Sequence, residues 1–340
     1  MRQAHSGIAK LLLLEHPRHL LSSLALGQLV GQVDRLWNAE AEAAARADYW
    51  VGKVQSIRRF ANKNKDTRAP YKPLLLLWLI GRLAAGHSTE VSFKESEQDL
   101  KQLMRGHRLG RSVRVAFPFV YLGSDPELWR VKDSSDNDVS KMPQQTKESS
   151  VFLRQEAVGS LAPEFELALH DPHVRSRVVN ALLHLEFPET LHEQILQEVN
   201  LGHLVAREHS PRDPRFKNVV LRAYEERCSF CGYDLRLGGS PVGIDAAHVQ
   251  MRSKGGPDRI ENGLALCVQH HRLFDFGALG LDQDHRILVS EHLNLSEQES
   301  AERIKDLVGA RIRKPLRRYR LPAAEHIDWH SKNLFKHPAR

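Results

Sequence analysis

The chain reads CSFC at residues 228–231, IDAAH at 244–248 and ENGLALCVQHHRLFD at 261–275. The first and third segments each carry two metal-binding side chains with two residues between them: Cys228 with Cys231, and Cys267 with His270. Two such pairs can supply the four ligands of a tetrahedral zinc site, which stabilises a domain too small to build a large core. We therefore predict a structural Zn²⁺ at these four residues.

Three further residues lie between and beside the zinc ligands: His248, Asn262 and His271. Hydrolysis of a phosphodiester needs a base with a pKa near neutrality, which histidine supplies, and a cation that neutralises developing charge. The residues therefore suit metal-assisted hydrolysis. The alternative is a finger that only binds, in which His248 is a buried structural histidine and Asn262 a turn residue.

In order and spacing these residues resemble the HNH nucleases, which have a ββα-metal fold, in the branch found in McrA-like restriction enzymes. The resemblance implies that His248 is the general base and that Asn262 holds the loop that orients it. It also implies that His271 binds a catalytic cation, Mg²⁺ or Mn²⁺. Many relatives have a metal-binding Asp or His directly before the base, where this chain has Ala247. Asp245 is the nearest carboxylate and a candidate second ligand of that cation.

The first half of the chain shows a second resemblance. RAPYKPLLLLWLIGR at 68–82, FPFVYL at 117–122 and ELWRV at 127–131 are similar to the sulfur-binding domain of phosphorothioation-dependent restriction endonucleases. In that family the domain recognises DNA with a sulfur in place of a non-bridging phosphate oxygen, and an HNH module cuts nearby. Sulfur is larger, more polarizable and a weaker hydrogen-bond acceptor than oxygen, so a shallow apolar pocket could accept it.

This resemblance implies a sulfur pocket and a set of nearby DNA contacts. The pocket residues would be Tyr71, Lys72, Phe117, Pro118 and Tyr121. Contacts to phosphates or to a groove would come from Arg68, Arg108 and Arg111. Taken singly, these aromatic residues are also typical of a core and these cations of a solvated face.

Composition is in keeping with a nucleic-acid partner in a reducing compartment. The 340 residues carry a formal net charge of +7, which favours a polyanionic partner. The three cysteines all fall in the predicted zinc site, which argues against a disulfide framework. No stretch resembles a signal peptide or approaches the roughly 20 apolar residues of a membrane span. We predict a cytoplasmic, nucleoid-associated protein without a membrane partner.

Hydrophobic periodicity and turn residues predict an α+β fold. We expect a helical segment and an α+β DNA-binding domain over 1–165, a helical linker over 166–209, and a zinc-stapled HNH domain with a basic tail over 210–340. Three local predictions accompany this division. Residues 1–62 should be mainly helical, 117–119 and 128–131 should pair as strands, and 133–150 should form a mobile surface loop.

Together these expectations predict a type IV-like restriction endonuclease of antiviral defence that binds phosphorothioated double-stranded DNA. One finger cuts one strand, so double-strand cleavage suggests a homodimer or two binding events, with the N-terminal helices as the candidate dimer interface. Three alternatives remain open. One is an HNH endonuclease directed to methylated DNA, with a pocket that flips or reads a base. Another is a DNA-binding protein with a relic finger that does not cut. The third is a general RNA or DNA nuclease, for which modification would not matter.

Overall fold

A computed structural model describes residues 41–57, 61–62, 65–68, 70–107, 113–204, 214–294 and 304–340. Their helices and strands pack around two separate hydrophobic cores, and the predicted α+β class is confirmed. Residues 41–55 are helical, in agreement with the prediction for this part of the N-terminal segment, and residues 1–40 lie outside the described residues. Among the described residues, no helix is both long and apolar enough to cross a membrane.

The first core takes its buried side chains from helices and strands of the N-terminal half and from two helices that follow. In chain order, with residues 41–55 as α1, the elements are β1 (Ala61–Asn62), β2 (Lys65–Arg68), α2 (Tyr71–Ala84), β3 (Val91–Ser92), α3 (Phe93–Gly106), α4 (Ala116–Tyr121), β4 (Trp129–Lys132), α5 (Gln144–Lys147), α6 (Ser150–Glu156), β5 (Val158–Leu161), α7 (Pro163–Leu169), α8 (Pro172–Glu186) and α9 (Glu189–Glu198).

Helix α2 is the centre of the first core. Its run of leucines is fully buried, because other helices pack around it instead of leaving one face to solvent. Strands β3, β5 and β4 form an antiparallel sheet with β5 in the middle. A Cβ atom at Gly159 of β5 would lie 2.0 Å from the Trp129 ring, so glycine is required for this close approach. The helices α8 and α9 of the predicted linker bury apolar side chains in this same core.

The predicted strand at 117–119 is wrong, because these residues belong to helix α4. Pro118 is the third residue of that helix, where a missing N–H costs no hydrogen bond. The aromatic residues that indicated a strand pack inward: Phe119 is fully buried, and its carbonyl accepts a 2.7 Å hydrogen bond from the Trp129 indole. The strand predicted at 128–131 is confirmed as β4.

The segment 133–150 is also more ordered than the sequence predicted. The Asp133 carboxylate accepts hydrogen bonds from the backbone amides of Ser135 (2.9 Å) and Asn137 (2.8 Å) and so closes a turn. Val139 is fully buried in the first core and anchors the middle of the segment. A polar stretch with one apolar anchor therefore folds through its own side-chain to backbone bonds.

The second core is formed by the C-terminal half and is the smaller of the two. Its elements are α10 (Pro214–Ala223), β6 (Arg236–Leu237), β7 (Ser240–Pro241), β8 (Ile244–His248), β9 (Gly263–Cys267), α11 (Val268–Asp275), β10 (Leu279–Leu281), β11 (Ile287–Val289) and α12 (Ala324–Asn333). Strands β8 and β9 pair antiparallel, with Ile244 opposite Cys267 and His248 opposite Gly263. Helix α11 continues directly from β9, which gives the two-strand, one-helix finger expected from the sequence.

The two cores are in contact along α9 and α11, which pack against each other. The Lys254 ammonium donates to the buried Glu186 carboxylate at 3.1 Å, and the Arg272 guanidinium donates to the Gln194 side chain at 3.1 Å. The Thr190 hydroxyl donates to Asp275 in the same contact. Charged and polar bonds therefore tie the helices that end the first core to the finger of the second.

Candidate metal centre and catalytic cleft

The predicted zinc ligands come together in space. Cys228 and Cys231 lie in the turn after α10, Cys267 ends β9, and His270 lies in the first turn of α11. The three sulfur atoms and a His270 ring nitrogen all lie within 4.8 Å of one another. The His270 Nδ1 atom is 3.5 Å from the Cys228 sulfur and 3.2 Å from the Cys267 sulfur.

These distances fit the edges of a zinc tetrahedron. Zn–S bonds of about 2.3 Å and Zn–N bonds of about 2.0 Å place neighbouring ligand atoms roughly 3.5 to 3.8 Å apart. The neighbouring Cys231 and Cys267 thiols, with His270, hold the pKa of Cys228 well below its ordinary value, which favours the thiolate that binds metal. Burial acts against a charged His270, but the hydrogen bonds that its ring donates to the Cys228 and Cys231 sulfur atoms raise its pKa to about 9. The three sulfur atoms and the His270 nitrogen therefore suit a metal cation, which would take the place of the proton on the His270 ring.

His248 is the last residue of β8 and lies about 4.1 Å, ring to ring, from Phe216 of α10 in a stacked arrangement. Its Nε2 atom donates a 2.8 Å hydrogen bond to an Asp258 carboxylate oxygen. Burial lowers the pKa of His248 below its ordinary value, and the Asp258 carboxylate offsets part of that shift. The imidazole is therefore neutral at pH 7, the form that can accept a proton.

Asn262 is fully buried and ties together the loop between β8 and β9. Its side-chain oxygen accepts from the Gln250 amide at 2.7 Å, and its side-chain nitrogen donates to the carbonyls of Gln250 (3.0 Å) and Pro257 (3.1 Å). An asparagine can make all of these bonds at once, because it carries both an acceptor and two donors. The geometry agrees with the predicted role of holding the loop beside His248.

A cavity of about 400 Å³ contains both predicted catalytic histidines. Its wall includes His248 and Asp258 from one side of the finger and His271 and Asp275 from α11. The His271 Nε2 atom lies 3.4 Å from an Asp275 oxygen. Helix α9 of the first core closes another side through its first residues, including Glu189. The cleft is thus shared between the two cores.

Asp245 occupies a different environment from the histidines. Its carboxylate accepts a 2.8 Å bond from the Lys217 ammonium of α10. The next residue of β8, Ala246, lines the cavity together with Lys217 and His248. Lys217 therefore already binds one of the two Asp245 oxygens. The role of Asp245 as a ligand of the catalytic cation stays a prediction.

The predicted sulfur-pocket residues lie on α2 and α4. Lys72 is buried, and its ammonium donates to Asp125 at 3.3 Å and to Ser124 at 3.2 Å in the turn after α4. The rings of Phe117 and Tyr121 meet edge to face at 5.9 Å. Pro118 is buried, whereas Tyr71 is half-buried against the first core. The side chain of Arg68 lies outside the described residues, as do Arg108 and Arg111.

Sequence reasoning missed three residues that the cleft brings to His248 and His271. Asp258 and Phe216 contact His248, and Glu189 reaches the cavity from the first core. The GGPD motif at 255–258 is a sequence signal for Asp258, since it ends a turn between two finger strands. Neither Phe216 nor Glu189 has such a local signal.

Comparison with known families gives two matches on this chain. A ScoMcrA-like DNA sulfur-binding domain matches residues 49–204, and an HNH endonuclease domain matches residues 228–282. Among curated proteins, none matches the sequence.

Three solved structures are similar to parts of the chain, each with a TM-score below 0.5. The sulfur-binding domain of SprMcrA complexed with phosphorothioated DNA is 24% identical, covers 46% of this chain and 96% of its own, and has a TM-score of 0.38. The modification-dependent TagI restriction endonuclease is 25% identical, with 36% and 38% coverage and a TM-score of 0.26. The type IV phosphorothioation-dependent restriction endonuclease ScoMcrA is 17% identical, with 69% and 49% coverage and a TM-score of 0.34. This chain therefore spans about half the length of ScoMcrA. TM-scores below 0.5 do not show a shared overall fold.

The HNH match covers the finger and its four candidate metal ligands, so the chain carries an HNH endonuclease domain, and the predicted enzyme class, a DNA endonuclease, is confirmed. The same chain carries a ScoMcrA-like DNA sulfur-binding domain in front of the nuclease. That combination is the composition of a modification-dependent restriction nuclease, as predicted from the sequence.

Proposed function

We propose that this protein binds duplex DNA carrying a backbone phosphorothioate and hydrolyses a phosphodiester bond nearby. The observation that carries the proposal is the presence of both family matches on one chain, whose second core brings His248, Asn262 and His271 around one loop and one cavity. The match of residues 49–204 to a ScoMcrA-like DNA sulfur-binding domain supports phosphorothioated DNA as the ligand here. We also keep the predicted cytoplasmic, nucleoid-associated location and the homodimer as proposals.

In the proposed reaction His248 takes a proton from water, and the resulting hydroxide oxygen attacks phosphorus as the bond to the leaving oxygen breaks. Asn262 keeps the loop beside His248 in place through its bonds to Gln250 and Pro257. His271 would hold the catalytic cation, Mg²⁺ or Mn²⁺, and Asp245 is the further candidate ligand. When bound, such a cation neutralises charge on the phosphate in the transition state. Zn²⁺ at the three cysteines and His270 would be structural.

The proposed domain division follows the two cores. Residues up to about 165 would form the reader, and 210–340 the nuclease. The helices α8 and α9 of the 166–209 segment would act with the reader, because their apolar faces are buried in its core and the family match extends to residue 204. They also carry the contact to the nuclease through Glu186 and Gln194.

The proposed sulfur pocket lies around α4. Phe117, Pro118 and Tyr121 offer apolar and aromatic surface, and the buried ion pair of Lys72 with Asp125 lies at the turn that follows. Such a surface favours sulfur over oxygen, because an oxygen anion loses water contacts there without gaining hydrogen bonds. Arg68, Arg108 and Arg111 would bind neighbouring phosphates or a groove.

The replacement Pro118→Ala is expected to weaken binding of a phosphorothioated duplex about tenfold and to leave binding of the matched phosphate duplex unchanged. Two ring carbons are lost, at about 0.8 kcal/mol for each buried CH₂ group, or about 1.5 kcal/mol. The measurement is the Kd for two duplexes that differ only by one sulfur of defined stereochemistry. The exposed Pro126→Ala is the matched control. Equal binding of both duplexes by the unaltered protein would remove sulfur as the ligand.

We expect kcat/KM for cleavage to fall only below pH 6.5, the ordinary pKa of histidine. Burial lowers the pKa of His248, so the neutral base persists as pH falls and is lost only when pH passes the lowered value. Burial also lowers the pKa values of His192 and His330 to about 4, so the fold should stay intact to about pH 5. Rates between pH 5 and 8, with circular dichroism at each pH, test this. A half-maximal point above pH 6.5 would contradict the assignment.

The methylated-DNA alternative remains distinguishable from the proposal. Cleavage of a methylated duplex without sulfur, together with indifference to the phosphorothioate, would favour it. Such a reader would need an aromatic pocket for a base or its edge in place of a sulfur pocket.

A further inference from the structure

Asp258 lies in the loop that joins β8 to β9 and makes a direct hydrogen bond with His248. The Nε2 atom of His248 donates to one Asp258 oxygen at 2.8 Å, and the Arg252 guanidinium lies 3.6 Å from the other oxygen. Since a carboxylate can only accept, Nε2 must carry the imidazole proton. In the neutral ring the lone pair is then on Nδ1, which becomes the basic atom.

The loop is built so that Asp258 reaches that position. The preceding residue, Pro257, has its carbonyl held by the Asn262 amide at 3.1 Å. A Cβ atom at Gly256 would lie 2.0 Å from the Gln250 carbonyl oxygen and 2.8 Å from the Asn262 side-chain nitrogen. Only glycine therefore allows the chain to pass so close to Gln250 before it turns to Asp258.

One face and one edge of the His248 ring have different partners. Phe216 stacks on the ring with an angle of 16° between the two planes, which limits rotation about the Cα–Cβ bond. Stacking alone still permits the ring to flip by 180°, which would put Cε1 in the place of Nε2 and Cδ2 in the place of Nδ1. The hydrogen bond to Asp258 distinguishes the two nitrogens, and it is tied through Pro257 to the buried Asn262.

We propose that Asp258 is a positioning residue for the reaction: it holds His248 in the Nε2–H tautomer and stabilises the imidazolium formed when Nδ1 takes the proton of water. The proton moves from water to Nδ1 and the hydroxide oxygen forms the new bond to phosphorus; no further reactant is needed. This role rests on the proposed function of His248 as general base. It also gives Asn262 an indirect effect on the base, since the asparagine holds the residue before Asp258.

Several charged or titratable groups surround His248, and each of them can affect the pH at which His248 is protonated. Asp258 and Arg252 lie in the loop, and Glu189 acts from the first core. The same cavity also contains Lys217, His271 and Asp275. Of the groups that act directly on His248, Asp258 is the one in hydrogen-bond contact and the largest that favours the protonated ring.

The test compares Asp258→Asn and Asp258→Ala with the exposed Asp306→Asn as a charge-matched control in the full-length protein. We expect kcat to fall about 10- to 100-fold in both Asp258 variants, because a misplaced base loses alignment with its water. The fall should be smaller for Asn, whose oxygen still accepts from Nε2. The acid limb of kcat/KM should move to lower pH, since the carboxylate raises the pKa of His248. Zinc content, thermal unfolding and duplex binding should match those of the control.

Nitrogen-15 NMR of the imidazole, assigned with His248→Ala, supplies a readout that does not depend on cleavage. A predominant Nε2–H tautomer that becomes mixed in Asp258→Ala supports the role, and an unchanged tautomer in that variant overturns it. If the unaltered protein cuts, unchanged kcat and an unmoved acid limb in both variants overturn it as well. If the unaltered protein does not cut any duplex, the function proposed above fails, while the tautomer still decides whether Asp258 controls the ring.

Discussion

Replacing His248 with alanine is expected to lower kcat for cleavage of phosphorothioated DNA about 10³-fold, within the 10²- to 10⁴-fold range of a general base. The imidazole is the neutral, partly buried base beside a loop that Asn262 and Asp258 hold in place. Binding of the same duplex should change little, because the proposed reader lies in the other core. Single-turnover cleavage with Mn²⁺ and a binding titration on the same duplex measure the two effects.

The matched control for this replacement is His173→Ala, at an exposed position in the first turn of α8. This variant should cut at the unaltered rate. Zinc content and thermal unfolding of His248→Ala should also be unchanged, since the zinc ligands are other residues. A variant without His248 that still cuts at full rate would exclude this residue as the base. Loss of cutting with retained binding would instead remove the alternative of a relic finger that only binds.

The replacement Cys267→Ser is expected to cost the protein its zinc and to unfold the second core while the first remains folded. Zinc binding to finger peptides has an apparent free energy of about 10–16 kcal/mol, which is as large as the about 5–15 kcal/mol stability of a whole domain. Loss of one ligand at the junction of β9 and α11 therefore removes the main support of the finger. Zinc analysis, thermal unfolding and duplex binding test the three parts of this expectation.

The exposed neighbour Val268→Ser provides a control with the same replacement one residue further along the chain. It should keep stoichiometric zinc and the unaltered unfolding transition. Treatment with a chelator should reproduce the Cys267→Ser result, and added Zn²⁺ should reverse it in the unaltered protein only. If Cys267→Ser retains both its zinc and the unfolding transition of the second core, the four residues are not the zinc site.

The zinc site could be predicted from the sequence, because its ligands come in two local pairs and their chemistry admits few other roles. Asn262 and His271 were picked out by the family's motif order: Asn262 directly precedes β9, and His271 follows His270 in α11. Their roles stay predictions. Asp258 was not, because its contact with His248 depends on how the loop folds back over Gln250, and that path is set by Gly256 and the Asn262 bonds.

The errors in the first half have a different physical origin. Phe117 and Phe119 indicated a strand because aromatic residues are common in sheets. The burial of Phe119 against Trp129 overrides that preference, and a helix forms. The segment 133–150 was expected to be mobile because it is polar, yet one buried valine and local carboxylate bonds order it. In each case contacts distant in sequence, or bonds made by side chains to their own backbone, decide the outcome.

The packing of α9 against α11 bears on where scission falls along a duplex. Glu186 holds Lys254 and Gln194 holds Arg272, so the finger is fastened to the helices of the reader by several bonds rather than by a single length of coil. A cutting centre on a loose tether would leave ends scattered over many nucleotides. If the proposed function holds, a nuclease core fixed to the reader in this way is expected to leave product ends at a set number of base pairs from the modified phosphate.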